Sequence, residues 1–436
     1  MNPLVRIPYA VAGVLARALA GVAPAGESKT ARALRARRGI NKRYEEWAKH
    51  SRDPSRPLLW IHAPSVGEGL QALPVIQLFR ARHPEVQLAY TFFSPSAERF
   101  APTVGADFHD YLPFDTARDA ARTLDALRPS ALVFSKLDVW PLLAESAARR
   151  GVMLGMVSAT MPFSSLRSSR AARLALRDAH AALDTVGSVS DADAVRLVEA
   201  GVRPERITLT GDTRYDQAWA KAEADSTEQR TLLNPLRAAR FTVVAGSTWP
   251  SDEERLLPAW MEVKATHPDA RLVIAPHELT GKHLEAIETW AQSHRLSFAR
   301  LGASAASSAE VVLVDRYGVL GDLYALADVA YVGGGFRDAG LHSLLEPAAF
   351  GAPVIIGPRH EDNRDARHLV ASGGAFRCAD ANAIVGRISR WIEAPDTLTS
   401  ARAAAREVVR DGLGAAERSV ELVESLMGFA RVAGSG

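Results

Sequence analysis

The sequence predicts an α/β protein of two doubly wound, parallel-sheet halves facing a cleft. Three observations carry this. At 436 residues the chain is too long for one ordinary core. From residue 57, short apolar runs alternate with helix-patterned stretches, the β–loop–α rhythm of a parallel sheet covered on both faces. The rhythm stops once, at the polar helical stretch QAWAKAEADSTEQRTLLNPLR, and then restarts. The expected organisation is a segment 1–50, a first half 51–215, a linker 216–236, a second half 237–405 and closing helices 406–436.

Composition narrows the class. A net charge of +2 gives no basic body of the kind that binds nucleic acid. A single cysteine, Cys378, excludes an internal disulfide framework and a cysteine-rich metal site. Residues 7–24 are rich in Ala and Val but carry Arg17. A span needs about 20 apolar residues and a central Arg costs about 2.5–3.5 kcal/mol, so this segment is better as an interfacial helix. The APA at 23–25 keeps a signal peptide open. Arg32, Arg35, Arg37, Arg38, Lys42 and Arg43 follow, six cations in twelve positions. They suit anionic headgroups, a phosphorylated lipid, or simply a solvated basic helix.

In the first half, LLWIHA, VQLAYTFF, ALVFS, VMLGMVSA and RITLTGD read as strands. GEGLQALPVIQLFRARHP, SPSAERFAPTVG and the stretch from Pro141 to Arg150 read as helices. In the second half the strands are FTVVAGST, ARLVIAPHE, EVVLVDRYG, DVAYVGGGF and APVIIGP. The Ala/Arg-rich end reads as one or two amphipathic helices.

In such sheets ligands bind beyond the carboxyl ends of the strands, and four places there hold informative residues. In HAPSVGEG, Ser65, Gly67 and Gly69 turn the chain tightly and deliver Glu68 to a helix N-terminus. The helix dipole favours its ionised form, which would make it a general base or merely a cap. In FSKLDVWP, Asp138 either caps the helix that Pro141 opens or sits across from Glu68. In AGSTWPSDEE, Ser247 and Thr248 offer amides and hydroxyls to a phosphate, or cap the helix. In YVGGGFRDAGLHSLLEP, Gly340, His342 and Ser343 open a helix whose first turn carries Glu346, either toward a nucleotide ribose or as a capping-box partner of Ser343. No convincing metal-ligand cluster stands out. His62, His277 and His342 look scattered, as turn or nucleotide contacts.

Taken together and in order, HAPSVGEGLQALPVI, FSKLDVWP, VSATMPFSS, GVRPERITLTGDTRYD, AGSTWPSDEE, VIAPHE, VDRYGVLGDLYALADVAYVGGG and HSLLEPAAFGAPVIIGP resemble the 3-deoxy-D-manno-octulosonic acid (Kdo) transferases of lipopolysaccharide synthesis. The resemblance implies the GT-B fold, two Rossmann-like domains. It implies an inverting glycosyltransferase that moves Kdo from CMP-Kdo to a lipid A precursor, a phosphorylated, acylated glucosamine disaccharide. It implies no resident cofactor and a place on the cytoplasmic face of the inner membrane, beside anionic lipids. Glu68 then matches the family's catalytic base. Asp138 falls in its acidic Trp-Pro motif, with Lys136 replacing that motif's first acid. Arg214 stands where a transition-state lysine is common. Pro276 and His277 replace a Pro-Arg pair that contacts CMP. Tyr317, Gly318 and Val319 match a second CMP loop. Ser343, Leu344, Leu345 and Glu346 match Asn-Pro-Leu-Glu. Arg35, Arg37, Arg38, Lys42 and Arg43 would meet the acceptor or the membrane. Two other readings stay open: a GT-B enzyme using another nucleotide sugar, and an inactive membrane-bound lipid-binding scaffold.

Overall fold

A computed structural model describes residues 3–22, 28–161, 170–224, 227–237, 240–338 and 340–429. The APA at 23–25 and the end of VSATMPFSS lie outside the described residues. The chain forms two compact units, Met1–Asp216 with Gly414–Gly436, and Gln217–Leu413.

The first unit holds a seven-stranded parallel sheet of β1 (Leu58–His62), β2 (Gln87–Phe92), β3 (Phe108–Tyr111), β4 (Ala131–Ser135), β5 (Met153–Ala159), β6 (Thr185–Ser188) and β7 (Ile207–Leu209), in the order β3-β2-β1-β4-β5-β6-β7. The central strands β1, β2 and β4 are buried at every residue. That is why they read as unbroken apolar runs, helices covering both faces. The second unit repeats the plan with β8 (Thr242–Thr248), β9 (Arg271–Pro276), β10 (Phe298–Arg300), β11 (Val311–Leu313), β12 (Val329–Val332), β13 (Val354–Ile356) and β14 (Ala375–Arg377), ordered β10-β11-β9-β8-β12-β13-β14. In each sheet the strand order reverses beside the first strand, between β1 and β4 and between β8 and β12. The loops leaving these strands are where a doubly wound sheet opens a crevice.

Ten of the strands were expected. The other four, β3, β6, β10 and β14, have only three or four residues, and three of them are sheet edges. A strand that short carries too little alternation to be told from a loop. SPSAERFAPTVG is a correction: it forms two 3-10 turns, Pro95–Ala97 and Ala101–Val104, rather than an α-helix. The prolines at 95 and 102 start turns and remove helix donors.

The closing segment forms two helices, Pro395–Asp411 and Ala415–Leu426. The last returns to the first unit, adding Val420, Leu422, Val423 and Leu426 to that core. Gly155 in β5 makes room for it, because a Cβ there would lie 2.8 Å from the Leu426 side chain.

Candidate active site

In the first unit the loops after β1 and β4 meet. Ser65 has extended backbone and caps the helix Val66–Arg82, accepting from the Gly67 amide at 3.3 Å. Its hydroxyl donates to the Glu68 carboxylate, in that helix's first turn. Lys136, just past β4, has a left-handed φ of +63° and donates its backbone amide to the Val157 carbonyl at 2.9 Å. A left-handed lysine is uncommon and is held here by its surroundings. The turn sends its ammonium 3.1 Å from Glu68 Oε1. Ser135 clamps the same place, donating to the Glu68 carbonyl at 3.2 Å.

Burial pushes the Glu68 carboxyl up, but the Ser65 hydroxyl and the Lys136 charge outweigh it and leave it below the ordinary carboxylate value. Glu68 is thus ionised at neutral pH, on a 17-residue helix whose dipole points the same way. The arrangement is an anionic acceptor with a cation alongside, at the switch point of the sheet.

Asp138 does not cap the helix Pro141–Ala148. Its Oδ2 lies 3.0 Å from His62 Nε2 and accepts from Trp140 Nε1 at 3.1 Å. His62 is fully buried at the end of β1, its Nδ1 3.0 Å from Thr91 Oγ1. The helix is capped instead by Asp115, which accepts from the Leu142 and Leu143 amides at 3.0 and 2.8 Å. Burial raises the Asp115 carboxyl to about 6. Arg214 is gripped by Asp212, its Nη2 2.7 Å from Oδ2. The neighbouring Thr213 hydroxyl donates to the Gln71 carbonyl at 2.6 Å, which ties this loop to the Glu68 helix.

In the second unit the loops after β8, β9 and β12 meet. Ser247 has φ +53°, and Thr248 is buried and donates to Glu253 Oε1 at 2.7 Å. Neither caps the helix Pro250–Thr266; Trp249 is its N-cap, and the Trp249 amide donates to Asp252 at 3.0 Å. Gly333, after β12, is required by close approach, since a Cβ would fall 2.2 Å from the Ser247 carbonyl. His277, following Pro276, donates its amide to the Thr248 carbonyl at 2.9 Å.

Two of the three histidines, His277 and His342, come together, whereas His62 lies in the first unit against Asp138. His277 stacks on both Trp249 and His342, its ring centroid 4.5 and 4.3 Å from theirs. Trp249 Nε1 donates to His342 Nε2 at 3.0 Å, and the Arg337 guanidinium lies 3.5 Å over the Trp249 ring. Burial, then His277 and Arg337, lower His342 to about 4, so it is neutral at pH 7. Sequence reading missed Trp249 and Arg337. Their signal was position, one just after β8 and one in the loop after β12.

Gly340 has φ +84°, and residues 340–344 form no helix. The helix starts at Leu345, has five residues and has Leu344 as N-cap without a side-chain bond, so the Ser343–Glu346 capping box is not formed. The exposed Ser343 stands before it. Burial pushes the Glu346 carboxyl up, partly offset by Lys221. Tyr317 is 74% exposed and accepts from the Leu279 amide at 3.2 Å. Gly318 (φ +88°) and Val319 lead from it into the short helix Leu320–Leu323. Among the described residues no three His, Cys, Asp or Glu side chains group as metal ligands.

The N-terminal cations divide. Arg37 is a correction to the reading of a lipid-facing cation. It is 3% exposed, and donates to the Leu112, Ala33 and Phe93 carbonyls at 2.8, 2.9 and 3.2 Å. Burial lowers it to about 10. Arg43 grips Asp110 at 2.6 and 2.9 Å. Arg35 is half-buried, whereas Arg38 and Lys42 are exposed. The preceding helix, Pro3–Val22, turns its polar face to the protein. Arg6 donates to both Glu145 oxygens at 2.7 and 2.8 Å, Tyr9 to Asp115 at 2.8 Å, and Arg17 lies 3.4 Å from Asp119. Its outer face exposes Ile7, Val11, Val14, Leu15 and Leu19. No helix among the described residues is long and apolar enough to cross a membrane.

Comparisons with known proteins bear on this arrangement. A family model described as 3-Deoxy-D-manno-octulosonic-acid transferase (kdotransferase) matches residues 33–217. A 3-deoxy-D-manno-octulosonic acid transferase of Bordetella pertussis is 30% identical over 85% of this chain and 87% of its own length. One of Chlamydophila psittaci is 28% identical over 78% of each. Among solved structures, a UDP-GlcNAc 2-epimerase from Neisseria meningitidis superposes with a TM-score of 0.62 at 14% identity, covering 85% of this chain and 100% of that one. A glycosyltransferase from Rickettsia africae gives 0.56 at 12%, covering 86% and 100%. These structural likenesses bear on the fold alone, the two-sheet α/β plan of the GT-B class.

Proposed function

The chain belongs to the 3-deoxy-D-manno-octulosonic acid transferase family and is a glycosyltransferase, and from that premise we propose that it moves Kdo from CMP-Kdo to a phosphorylated, acylated glucosamine disaccharide with inversion. The observation that carries the reading is Glu68, held ionised at a helix N-terminus beyond the sheet by Ser65 and Lys136. The carboxylate takes the proton of an acceptor hydroxyl as its oxygen bonds the anomeric carbon. The bond from that carbon to the phosphate oxygen breaks, and its electron pair leaves with CMP. A single displacement by one base inverts the carbon. Lys136 keeps Glu68 ionised while the site is empty. Bound substrates that exclude water raise its basicity again.

On this reading the second unit takes the nucleotide. The turn at Ser247 and Thr248, the start of the 17-residue helix Pro250–Thr266 and the stacked His277 and His342 suit a phosphate and a base. The family resemblance gives Arg214, just after β7 in the first unit, the role of meeting charge that develops on the donor. Asp138 acts through His62 and Trp140, fixing the loop that carries Lys136. The helix Pro3–Val22 lies on the cytoplasmic face of the inner membrane, its apolar outer face in the interface and Arg38 and Lys42 toward anionic headgroups.

The test is incubation with CMP-Kdo and a tetra-acylated disaccharide bisphosphate. The expected products are CMP and the Kdo-bearing lipid in equal amounts, with an inverted anomeric carbon by NMR. Turnover of a different nucleotide sugar, or binding of CMP-Kdo without turnover, would refute the reading.

A further inference from the structure

An apolar cavity of about 440 Å³ lies under the N-terminal helix in the first unit. Its walls come from Pro3–Val22, Lys29–Ala36 and the loops after β2, β3 and β4, with Ala16, Ala33, Leu34, Phe93, Phe114 and Trp140 among the lining residues. That volume falls in the range of small-molecule sites, which are mostly apolar with few polar groups. The two buried polar side chains, Arg37 and Asp115, are engaged elsewhere. Arg37 presents its flat face to Phe93 and Tyr111, 4.3 and 4.7 Å from the ring centroids, and its donors turn to carbonyls. Asp115 accepts from Tyr9 and two amides. What faces the space is mainly aliphatic and aromatic carbon, with Lys29, Thr30 and Ser94 as further polar lining residues, and such a lining favours hydrocarbon.

The cavity shares the loop after β4 with the candidate active site, and its β2 loop is bonded to the loop after β1. The Phe93 and Ser94 amides donate to the Pro64 carbonyl at 2.9 and 2.7 Å, next to the Ser65 that caps the Glu68 helix. Trp140 lines the cavity, stacks on Phe93 at 5.1 Å and donates to Asp138. A second cavity of about 420 Å³ shares Arg37 and Phe114, and its lining includes Arg17, Arg38, Lys42 and Arg122, with Arg17 paired to Asp119, Lys42 to Glu46 and Arg122 to Glu45. A hydrocarbon slot joined to a cationic one matches a ligand with an anionic head and an apolar tail.

We propose that the apolar cavity takes one acyl chain of the acceptor, seating the phosphorylated sugar at the Glu68 loop; this rests on the lipid-acceptor reading above. The test fills the cavity from two opposite walls of the full-length protein, with Ala16→Phe and Ala33→Phe made separately. For each, KM is measured for a tetra-acylated acceptor and for its fully deacylated phosphodisaccharide, and binding of radiolabelled palmitate is measured without donor. The expected result is a KM at least ten-fold higher for the acylated acceptor, with kcat and the deacylated KM within two-fold of wild type. Wild type should hold one palmitate, displaced by acceptor, and each variant should bind it at least ten-fold more weakly. Equal changes for both acceptors, or no change, would overturn the proposal. So would palmitate displaced by phosphatidylglycerol but not by acceptor, which would make the cavity a bilayer-lipid site. Palmitate binding needs no turnover, so it still decides the cavity if CMP-Kdo is not a substrate.

Discussion

Glu68 does two things that its local sequence shows only in part. The strand–loop–helix pattern and the S-x-G-E spelling place it at a helix N-terminus beyond a sheet, and that was legible. Its partner was not, because Lys136 is 68 positions away and reaches it only through the adjacency of β1 and β4. Lys136 read as a loss, a cation where the family has an acid; in the structure it joins the Ser65 hydroxyl in holding the Glu68 carboxyl down. The sign of its effect is testable. Lys136 lowers the Glu68 carboxyl, so Lys136→Met raises it. Since the ionised form is the base, the acid limb of the kcat–pH profile should move to higher pH in the variant. A limb that stays put would detach Lys136 from Glu68.

His342 gives a second titration at the same scale. Its folded value near 4 lies below its ordinary 6.5, so the unfolded chain binds more protons between those values. Stability contributed by neutral His342 is therefore present above pH 6.5 and lost as the pH falls toward 4. Chemical denaturation of wild type and His342→Asn should show a shallower loss over that window in the variant. Identical slopes would mean that the stacked ring titrates as in water.

Among the elements, the helix Pro3–Val22 shows what composition conceals. Arg17 read as a flaw in an apolar segment. In the structure it shares a face with Arg6, Tyr9 and Gly13, three or four residues apart, and that face is turned to the protein. Replacing two outward residues, Leu15→Glu with Leu19→Glu, should move the protein from the membrane to the soluble fraction without changing its melting temperature. Unchanged partitioning would remove the helix from membrane binding. Deleting residues 1–45 would be a poor test, because Arg37, Ile40 and Tyr44 belong to the core. Arg37→Met leaves three carbonyls without their donor and should lower unfolding free energy by about 2–4 kcal/mol in a denaturant titration, whereas exposed Lys42→Ala should change it by under about 0.5 kcal/mol.

At the scale of the molecule, the two-sheet plan was legible because the buried central strands are continuous apolar runs ended by small-residue loops. Glu68 and Asp138 in the first unit, and Ser247, Thr248 and His342 in the second, lie at or just beyond the ends of the strands where the order reverses, whereas Arg214 follows the edge strand β7 and Tyr317 follows β11. The destination of the last helix was not legible. Its apolar face fits any groove, and the space at Gly155, the ion pair of Glu417 with Arg82 and the contact of Glu424 with His83 assign it to the first unit. Ending the chain after Leu413 removes Val420, Val423 and Leu426 from that core and should make the first unit protease-sensitive while the second still resists. Equal resistance of both would mean that the helix contributes little.

The central claim is that Glu68 takes the proton in sugar transfer from CMP-Kdo. The direct measurement is CMP release from CMP-Kdo, with and without acylated acceptor, for wild type and Glu68→Gln side by side. The account predicts acceptor-dependent release by wild type and a kcat about 10²- to 10⁴-fold lower in the variant, with KM changed little. Equal release by both proteins would contradict it and reduce Glu68 to a helix-terminal charge.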